Sequence, residues 1–170
     1  EHLIERGHRR IAYVDYVHCL TDREEHYSAF DRHDGYVQAM KAAGLAPKVI
    51  DIPGCGKRGD LLARSHAVLE ASPRPTAIVT YSDSELLPLS HAAAWLRLRI
   101  PEDLSLATFG DSPMHGFGRE VTRMLNPWEE AGRQAVAMLE QKIAAPARTL
   151  AARALPFAFE PGETCAPPSG

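Results

Sequence analysis

The chain has 170 residues, of which 45% are hydrophobic and 24% are charged, a balance typical of a globular domain with its own core. The net charge of −3 provides no basic surface for nucleic acid, so DNA binding by this chain alone is not expected. No apolar stretch approaches the roughly 20 residues that cross a bilayer, which argues against a membrane span.

Hydrophobic periodicity in the first half of the chain predicts strands that alternate with helices. Residues 2–6 are typical of the last turns of a helix that Gly7 ends. Because the chain opens inside that helix, we expect it to be part of a longer protein. Up to residue 71 the predicted elements are strands at 10–14 and 48–52 and helices at 28–43 and 59–71.

The second half continues this alternation. A strand at 76–80 is followed by residues of helix-capping type, Ser82, Asp83 and Ser84, which predict a helix over 83–98. Pro88 lies inside that helix and predicts a late start or a kink. The remaining predicted elements are strands at 104–109, 121–125 and 155–159 and a helix over 127–143.

This alternation predicts an α/β fold, with a parallel sheet flanked by helices on both faces. In an open parallel sheet, ligands bind at the carboxyl ends of the strands. Gly110 and Asp111 directly follow the strand at 104–109, so they lie at such an end. They are the first candidates for a binding site.

The chain shows no pattern typical of a catalytic or metal site. The cysteines, Cys19, Cys55 and Cys165, match neither a metal spacing nor a disulfide framework, which favours a reducing compartment. The histidines, five of them in the first fifth of the chain, lack ligand partners at clear helical spacing. Phosphate loops, dinucleotide fingerprints and nucleophile elbows are absent, so we expect neither an enzyme nor a cofactor.

Several segments carry a combined pattern that is more specific than any one of them. They are HLIERGHRRIAYV at 2–14, RHDGY at 32–36, RPTAI at 74–78 continuing to Asp83, and IPEDLS at 100–105. In this order and spacing they resemble the effector-binding domain of the lactose/galactose repressor (LacI/GalR) family of bacterial transcription regulators. Residues 132–136 and 162–168 resemble the last helix and the closing segment of the same family.

The resemblance implies a type I periplasmic-binding-protein-like fold and a division of the chain. Residues 1–126 would form the distal effector-binding subdomain, 127–150 a helix of the proximal subdomain, and 151–170 the return strand and tail of the distal one. The DNA-binding domain would lie outside this chain.

The resemblance also implies a cytoplasmic homodimer that senses a sugar-like small molecule and contacts DNA only through that missing amino-terminal domain. Two helices, 59–71 and 83–98, lie where family members dimerise, with Leu86, Leu87 and Trp95 as candidates that are equally compatible with a core role. The helix over 127–143 is expected to expose Trp128, Met138 and Leu139. A sugar-binding protein of a transport system, built on the same superfold, is the alternative function.

On the same resemblance, the helix over 28–43 supplies the first ligand contacts. Arg32 matches the family's pocket arginine, whose rigid five-donor fork suits hydroxyl or carboxylate groups. Ser28 matches a polar pocket position, although a helix cap is an alternative role. His26 falls where some members place a ligand-contacting residue, and a solvated loop histidine is the competing interpretation.

At the other strand ends the chain departs from the family pattern. Ser82-Asp83 stands where Asn-Asp is usual, and Asp83 is a cap or loop organiser under either interpretation. Gly110-Asp111 replaces the common Asp-Asp, which removes the carboxylate that usually faces the ligand. Gly54 stands where an aromatic residue is common. The hypothesis is an atypical effector or a pocket of weakened affinity.

Overall fold

The computed structural model describes residues 1–15, 27–51, 59–110 and 118–169. Within these ranges it contains every element that the sequence predicts, with ends shifted by at most three residues. The helices are α1 His2–Glu5, α2 Tyr27–Ala42, α3 Gly59–Glu70, α4 Asp83–Trp95 and α5 Trp128–Ala144. The strands are β1 Ile11–Asp15, β2 Lys48–Asp51, β3 Ala77–Thr80, β4 Ser105–Phe109, β5 Thr122–Leu125 and β6 Ala158–Glu160.

All six strands belong to one sheet, in the order β2-β1-β3-β4-β5-β6. The first five are parallel, as predicted, whereas β6 runs antiparallel to β5 and pairs Met124 with Phe159. Strand β6 begins three residues later than the hydrophobic pattern at 155–159 predicts, because its position is set by pairing with β5. The sheet is therefore mixed at this one edge.

Helices cover both faces of the sheet, and alternate residues of the strands point to each side. From β1, Ala12 and Val14 join the larger core beneath α3 and α4, where Leu89 and Leu106 are fully buried. Ile11 and Tyr13 face the other way, into a smaller core with Tyr36 and Met40 of α2.

Helix α4 begins at Asp83 and continues through Pro88, so a late start is not observed. Its amino end is fixed by a capping box. The Ser82 hydroxyl accepts from the Ser84 N–H at 3.3 Å, and the Ser82 N–H donates to Glu85 Oε2 at 2.9 Å. Its carboxyl end comes earlier than predicted because Arg97 adopts a left-handed conformation, with φ 57°.

Helix α5 differs from the other long helices because none of its side chains is buried. Four large apolar residues at helical spacing leave much of their surface in solvent: Trp128, Val136, Leu139 and Ile143. Two of the three residues expected to be exposed are exposed, Trp128 and Leu139, while Met138 is half-buried. In the described ranges no helix is long and apolar enough to span a membrane.

Candidate functional site

The candidate site lies where the topology of the sheet changes direction. From β1 the chain crosses through α2 to β2 on one side, and then through α3 to β3 on the other side. Beyond the carboxyl ends of β1 and β3 the connections diverge, which opens a crevice typical of ligand sites in α/β sheets. The amino-terminal ends of α2 and α4 meet the sheet at this edge.

Arg32 is the centre of this region. Its Nη1 donates to the Tyr81 carbonyl at 2.7 Å, and its Nη2 donates to Asn126 Oδ1 at 3.3 Å. Its guanidinium carbon lies 4.7 Å from the ring centroid of Tyr81, 4.9 Å from that of Phe109 and 5.7 Å from that of Phe157. Three rings and two acceptors thus hold the guanidinium in one orientation.

The Nε donor of this arginine remains available. Arg32 Nε is buried and has no hydrogen-bond partner among the described residues. A buried donor without an acceptor is costly, and a ligand oxygen placed there would remove that cost. Ser28, one turn earlier in α2, adds a hydroxyl that lies 3.0 Å from the Tyr81 hydroxyl. The region therefore offers donors and a hydroxyl beside an aromatic wall.

Buried carboxyl groups lie below the same strand ends. Asp15 ends β1 and is almost fully buried, and Glu85 is buried in the first turn of α4. Burial raises the pKa of the Glu85 carboxyl to about 7, with a smaller contribution from the negative charge of Asp15. Burial, then Asp15, also raises the pKa of the Tyr13 phenol far above its usual range.

A hydrogen bond joins the ends of β3 and β4, close to these buried carboxyl groups. The buried Thr80 hydroxyl donates to Thr108 Oγ1 at 2.7 Å. One residue beyond β4, Gly110 lies directly against the carboxylate of Asp83, and a Cβ on Gly110 would overlap both oxygens of that carboxylate. The Asp83 side chain thus occupies the space above the backbone of residue 110.

Five of the seven predicted site residues lie in the described ranges. Ser28 and Arg32 come together around Tyr81, while Asp83 comes together with Gly110. Ser82 mainly organises the start of α4, because its hydroxyl donates to Glu85 Oε2 at 2.8 Å as well as capping the helix. The other two, His26 and Asp111, lie outside the described residues, as does Gly54.

Sequence reasoning missed the partners that fix Arg32. Tyr81 and Asn126 directly follow β3 and β5, so the same carboxyl-end argument that selected Gly110 identifies them in retrospect. Phe157 gave no comparable signal, since it belongs to the return segment and reaches Arg32 only through the antiparallel pairing of β6. Leu86, a candidate for dimerisation, is fully buried in the core, whereas Leu87 and Trp95 are exposed.

A groove of about 740 Å³ runs from Arg32 and Ser28 along α2 to α1, with Phe109 and Phe157 in its wall. A second cavity, of about 390 Å³, lies at the opposite, amino-terminal edge of the sheet beside His8 and Asp103. We assign the candidate site to the first, because Arg32 and Ser28 line it beside Phe109 and Phe157. No group of three or more potential metal ligands occurs within the described ranges.

Comparison with known proteins gives one family match over almost the whole chain. The family described as the periplasmic binding protein-like domain matches residues 1–165. The HTH-type transcriptional repressor CytR of Escherichia coli K12 is 33% identical over 144 residues, which cover 81% of this chain and 39% of the repressor. The chain thus spans about two fifths of the length of the curated repressors it matches.

Solved structures agree with this match. A LacI family transcriptional regulator from Bifidobacterium animalis subsp. lactis is 25% identical with a TM-score of 0.80, over 99% of this chain and 59% of the regulator. A LacI family regulator from Enterococcus faecium with bound ribose is 20% identical with a TM-score of 0.78, over 98% of this chain and 60% of that protein. At that identity the second similarity shows the fold alone.

Proposed function

Because the chain belongs to the periplasmic-binding-protein-like domains of the LacI/GalR family of transcriptional regulators, we propose that it is the effector-sensing part of such a regulator. Its curated relatives are repressors, which supports regulation over catalysis or transport. We expect the whole protein to bind DNA through a separate domain and to act in the cytoplasm, where its operator is located.

The observation that carries the proposal is the fixed arginine at the crevice. Arg32 is held by three aromatic rings and two acceptors, and its buried Nε still requires an acceptor. Aromatic faces beside fixed donors and hydroxyls suit a sugar ring, whose hydroxyls accept from an arginine while its carbon face packs on the rings. The ribose bound by the regulator from Enterococcus faecium is consistent with this class of ligand.

We propose Arg32 and Ser28 as direct contacts of a sugar or nucleoside effector. Gly110 and Asp111 would border it at the end of β4, with Ser82 and Asp83 at the end of β3 and His26 at the approach to α2. Residue 54 is a glycine, and Phe109 and Phe157 place rings beside Arg32 from elsewhere in the fold.

The exposed apolar face of α5 supports the proposed division into subdomains at residues 127 and 150. Trp128, at 64% exposure, shares this face with Val136, Leu139 and Ile143. A patch of this kind is usually covered by another surface. A proximal subdomain packed on α5 would close the crevice around the effector, and closure would shift the population of the DNA-bound state.

Helices α3 and α4 are the proposed dimer face. They pack on each other, and their outer surface carries Leu62, Leu87 and Trp95, of which Trp95 is 80% exposed. His66 packs edge-on against the ring of Trp95 at 6.1 Å between centroids. Aromatic side chains such as Trp95 are enriched at protein interfaces relative to the rest of the surface.

The proposal is tested by isothermal titration of the protein with pentoses, hexoses and nucleosides. We expect at least one to bind, and Arg32→Lys to weaken it tenfold or more, since lysine cannot reproduce the planar fork. Arg9→Lys, an exposed arginine at the opposite edge of the sheet, is the matched control and should leave affinity unchanged. Equal affinities in both variants would refute the role of Arg32.

A further inference from the structure

A second cavity lies at the amino-terminal edge of the sheet, at the opposite end of the strands from the crevice beside Arg32. It has a volume of about 390 Å³, and the segments that lead into β1, β3 and β4 line it together with residues 168 and 169. Pro73, Pro101 and Pro168 form part of its wall. Because proline restricts the backbone and the volume suits a small ligand, this cavity is a second candidate binding site.

A buried histidine holds the segments around this cavity in place. His8 Nε2 lies 2.7 Å from the Ala166 carbonyl oxygen, and its Nδ1 lies 2.9 Å from the Thr76 hydroxyl oxygen. Burial lowers the pKa of the imidazole, so at neutral pH its Nε2–H donates to the carbonyl and its Nδ1 accepts from Thr76. The Thr76 N–H in turn donates to the Arg10 carbonyl at 2.8 Å. The segments that carry the side chains of the cavity are therefore fixed relative to one another.

Two arginines line the cavity, and the backbone of one positions the side chain of the other. Arg10 Nε donates to the Arg74 carbonyl at 3.0 Å. In the described ranges neither guanidinium group forms an ion pair. A guanidinium without a carboxylate partner keeps most of its five N–H donors for other acceptors. This side of the cavity is thus positively charged and rich in donors.

The two carboxylates at the cavity do not neutralise this charge, because other arginines pair with them. Asp103 Oδ2 accepts from Arg99 Nε at 2.8 Å, and Oδ1 accepts from Arg99 Nη2 at 3.0 Å. These bonds, with a smaller effect from the charge of Arg74, hold the pKa of the Asp103 carboxyl well below its usual range. Glu102 Oε1 lies 3.7 Å from Arg119 Nη1. The two arginines that line the cavity are left with positive charge in excess.

We propose that the cavity binds a phosphate group, free or carried by a small molecule, between Arg10 and Arg74. A phosphate group carries between one and two negative charges at neutral pH, which the two guanidinium groups balance. Their planar forks donate paired hydrogen bonds to phosphate oxygens. A neutral sugar needs no pair of cations, so this site differs in chemistry from the effector crevice. Its test does not depend on the proposed function.

The proposal is tested by isothermal titration of the native chain with inorganic phosphate at pH 7.5 and constant ionic strength. We expect saturable binding at one site. Arg74→Gln should raise the dissociation constant about fivefold or more, because it removes one of the two cations that hold the phosphate. Arg10→Gln should have a similar effect. Arg9→Gln, at an exposed arginine that does not line the cavity, is the matched control and should change the dissociation constant less than twofold.

Absence of saturable binding at millimolar phosphate would overturn the proposal. Unchanged affinity in Arg74→Gln, or equal weakening by Arg9→Gln, would mean an adventitious ion only. If Arg10→Gln fails to fold, Arg74→Gln and its control decide the question. Titration with D-ribose 5-phosphate distinguishes the two sources of the phosphate group. An esterified ligand should bind more tightly than inorganic phosphate and lose as much affinity in Arg74→Gln, whereas equal affinities would identify free phosphate.

Discussion

Replacing Glu85 with glutamine should stabilise the protein at neutral and alkaline pH. Glu85 is almost completely buried in the first turn of α4. Its Oε2 accepts from the N–H of Ser82 at 2.9 Å and from the Ser82 hydroxyl at 2.8 Å. Its Oε1 is buried and has no hydrogen-bond partner among the described residues. An ionised carboxylate is thus half-satisfied in a site that excludes water.

The size of the effect follows from the pKa. Burial raises the pKa of the Glu85 carboxyl from 4.5 to about 7, opposed only in part by hydrogen bonds from Ser82 and from the backbone of Glu85. Each unit corresponds to about 1.4 kcal/mol, so the folded state loses on the order of 3 kcal/mol when the carboxyl ionises. Because the folded pKa lies above the unfolded one, this loss begins near pH 4.5 and is complete above about pH 7. Glutamine keeps an acceptor for Ser82 and carries no charge.

The assay is urea unfolding of the native chain and Glu85→Gln at several pH values between 4.5 and 8. We expect the variant to gain stability relative to the native chain as the pH rises, reaching an advantage of up to about 3 kcal/mol at pH 8. The difference between the two curves cancels the titrating groups that do not interact with Glu85, such as His8. Glu70→Gln, an exposed position at the end of α3, is the matched control and should give a flat difference.

A flat difference for Glu85→Gln would refute the reasoning. It would mean that the carboxyl ionises in the folded state at its ordinary pKa, and hence that Oε1 has an acceptable partner. A difference that rises with pH from a negative starting value would instead show that the pKa is raised and that the capping box also prefers a carboxylate to an amide.

Three further changes test the packing, each followed by urea unfolding. Gly162→Ala should lower the free energy of unfolding by about 3 kcal/mol or more, because its Cβ would lie 2.5 Å from the carbonyl carbon of Val121 and 2.6 Å from the backbone nitrogen of Thr122. Gly35→Ala has open space around it and should instead stabilise α2 by about 0.5–1 kcal/mol. Similar effects at the two sites would contradict this reasoning. Leu106→Ala should lower the free energy of unfolding by about 2–5 kcal/mol, because removing this fully buried side chain leaves a cavity beneath α4. A loss below 1 kcal/mol would show that the core collapses to fill the cavity. Burial lowers the pKa of His8, whose Nε2 lies 2.7 Å from the Ala166 carbonyl oxygen. In a Glu85→Gln background, stability should therefore fall as the pH drops below about 6.5, and it should fall less when His8→Gln is added. Parallel curves of stability against pH for the two proteins would rule out this contribution.

Local pattern and chain order predicted the fold well. The parallel sheet and each helix followed from hydrophobic periodicity and capping residues, because these elements are stabilised largely by contacts that the periodicity records. The antiparallel β6 and the early end of α4 were not predicted. The first depends on pairing with a strand more than thirty residues away, and the second on a left-handed arginine, a conformation that sequence reasoning expects of glycine.

The candidate site was less accessible to sequence reasoning, because its geometry depends on residues that meet only in the folded chain. Arg32 was identified through the family resemblance, yet its orientation is set by Tyr81, Asn126 and two phenylalanines from different strands and the return segment. The sequence did not indicate that Glu85 is buried, because a Glu in the first turn of a helix is ordinarily solvated. Whether the predicted residues bind an effector stays a prediction.

Gly110 illustrates why substitutions at a site are better interpreted in pairs. Compared position by position, a glycine at 110 removes a side chain and predicts a weakened pocket. In the folded chain the vacated volume holds the carboxylate of Asp83, which comes from the adjacent strand end. Substitutions at positions 83 and 110 are therefore expected to be non-additive, because a new side chain at 110 and the carboxylate of Asp83 compete for the same volume.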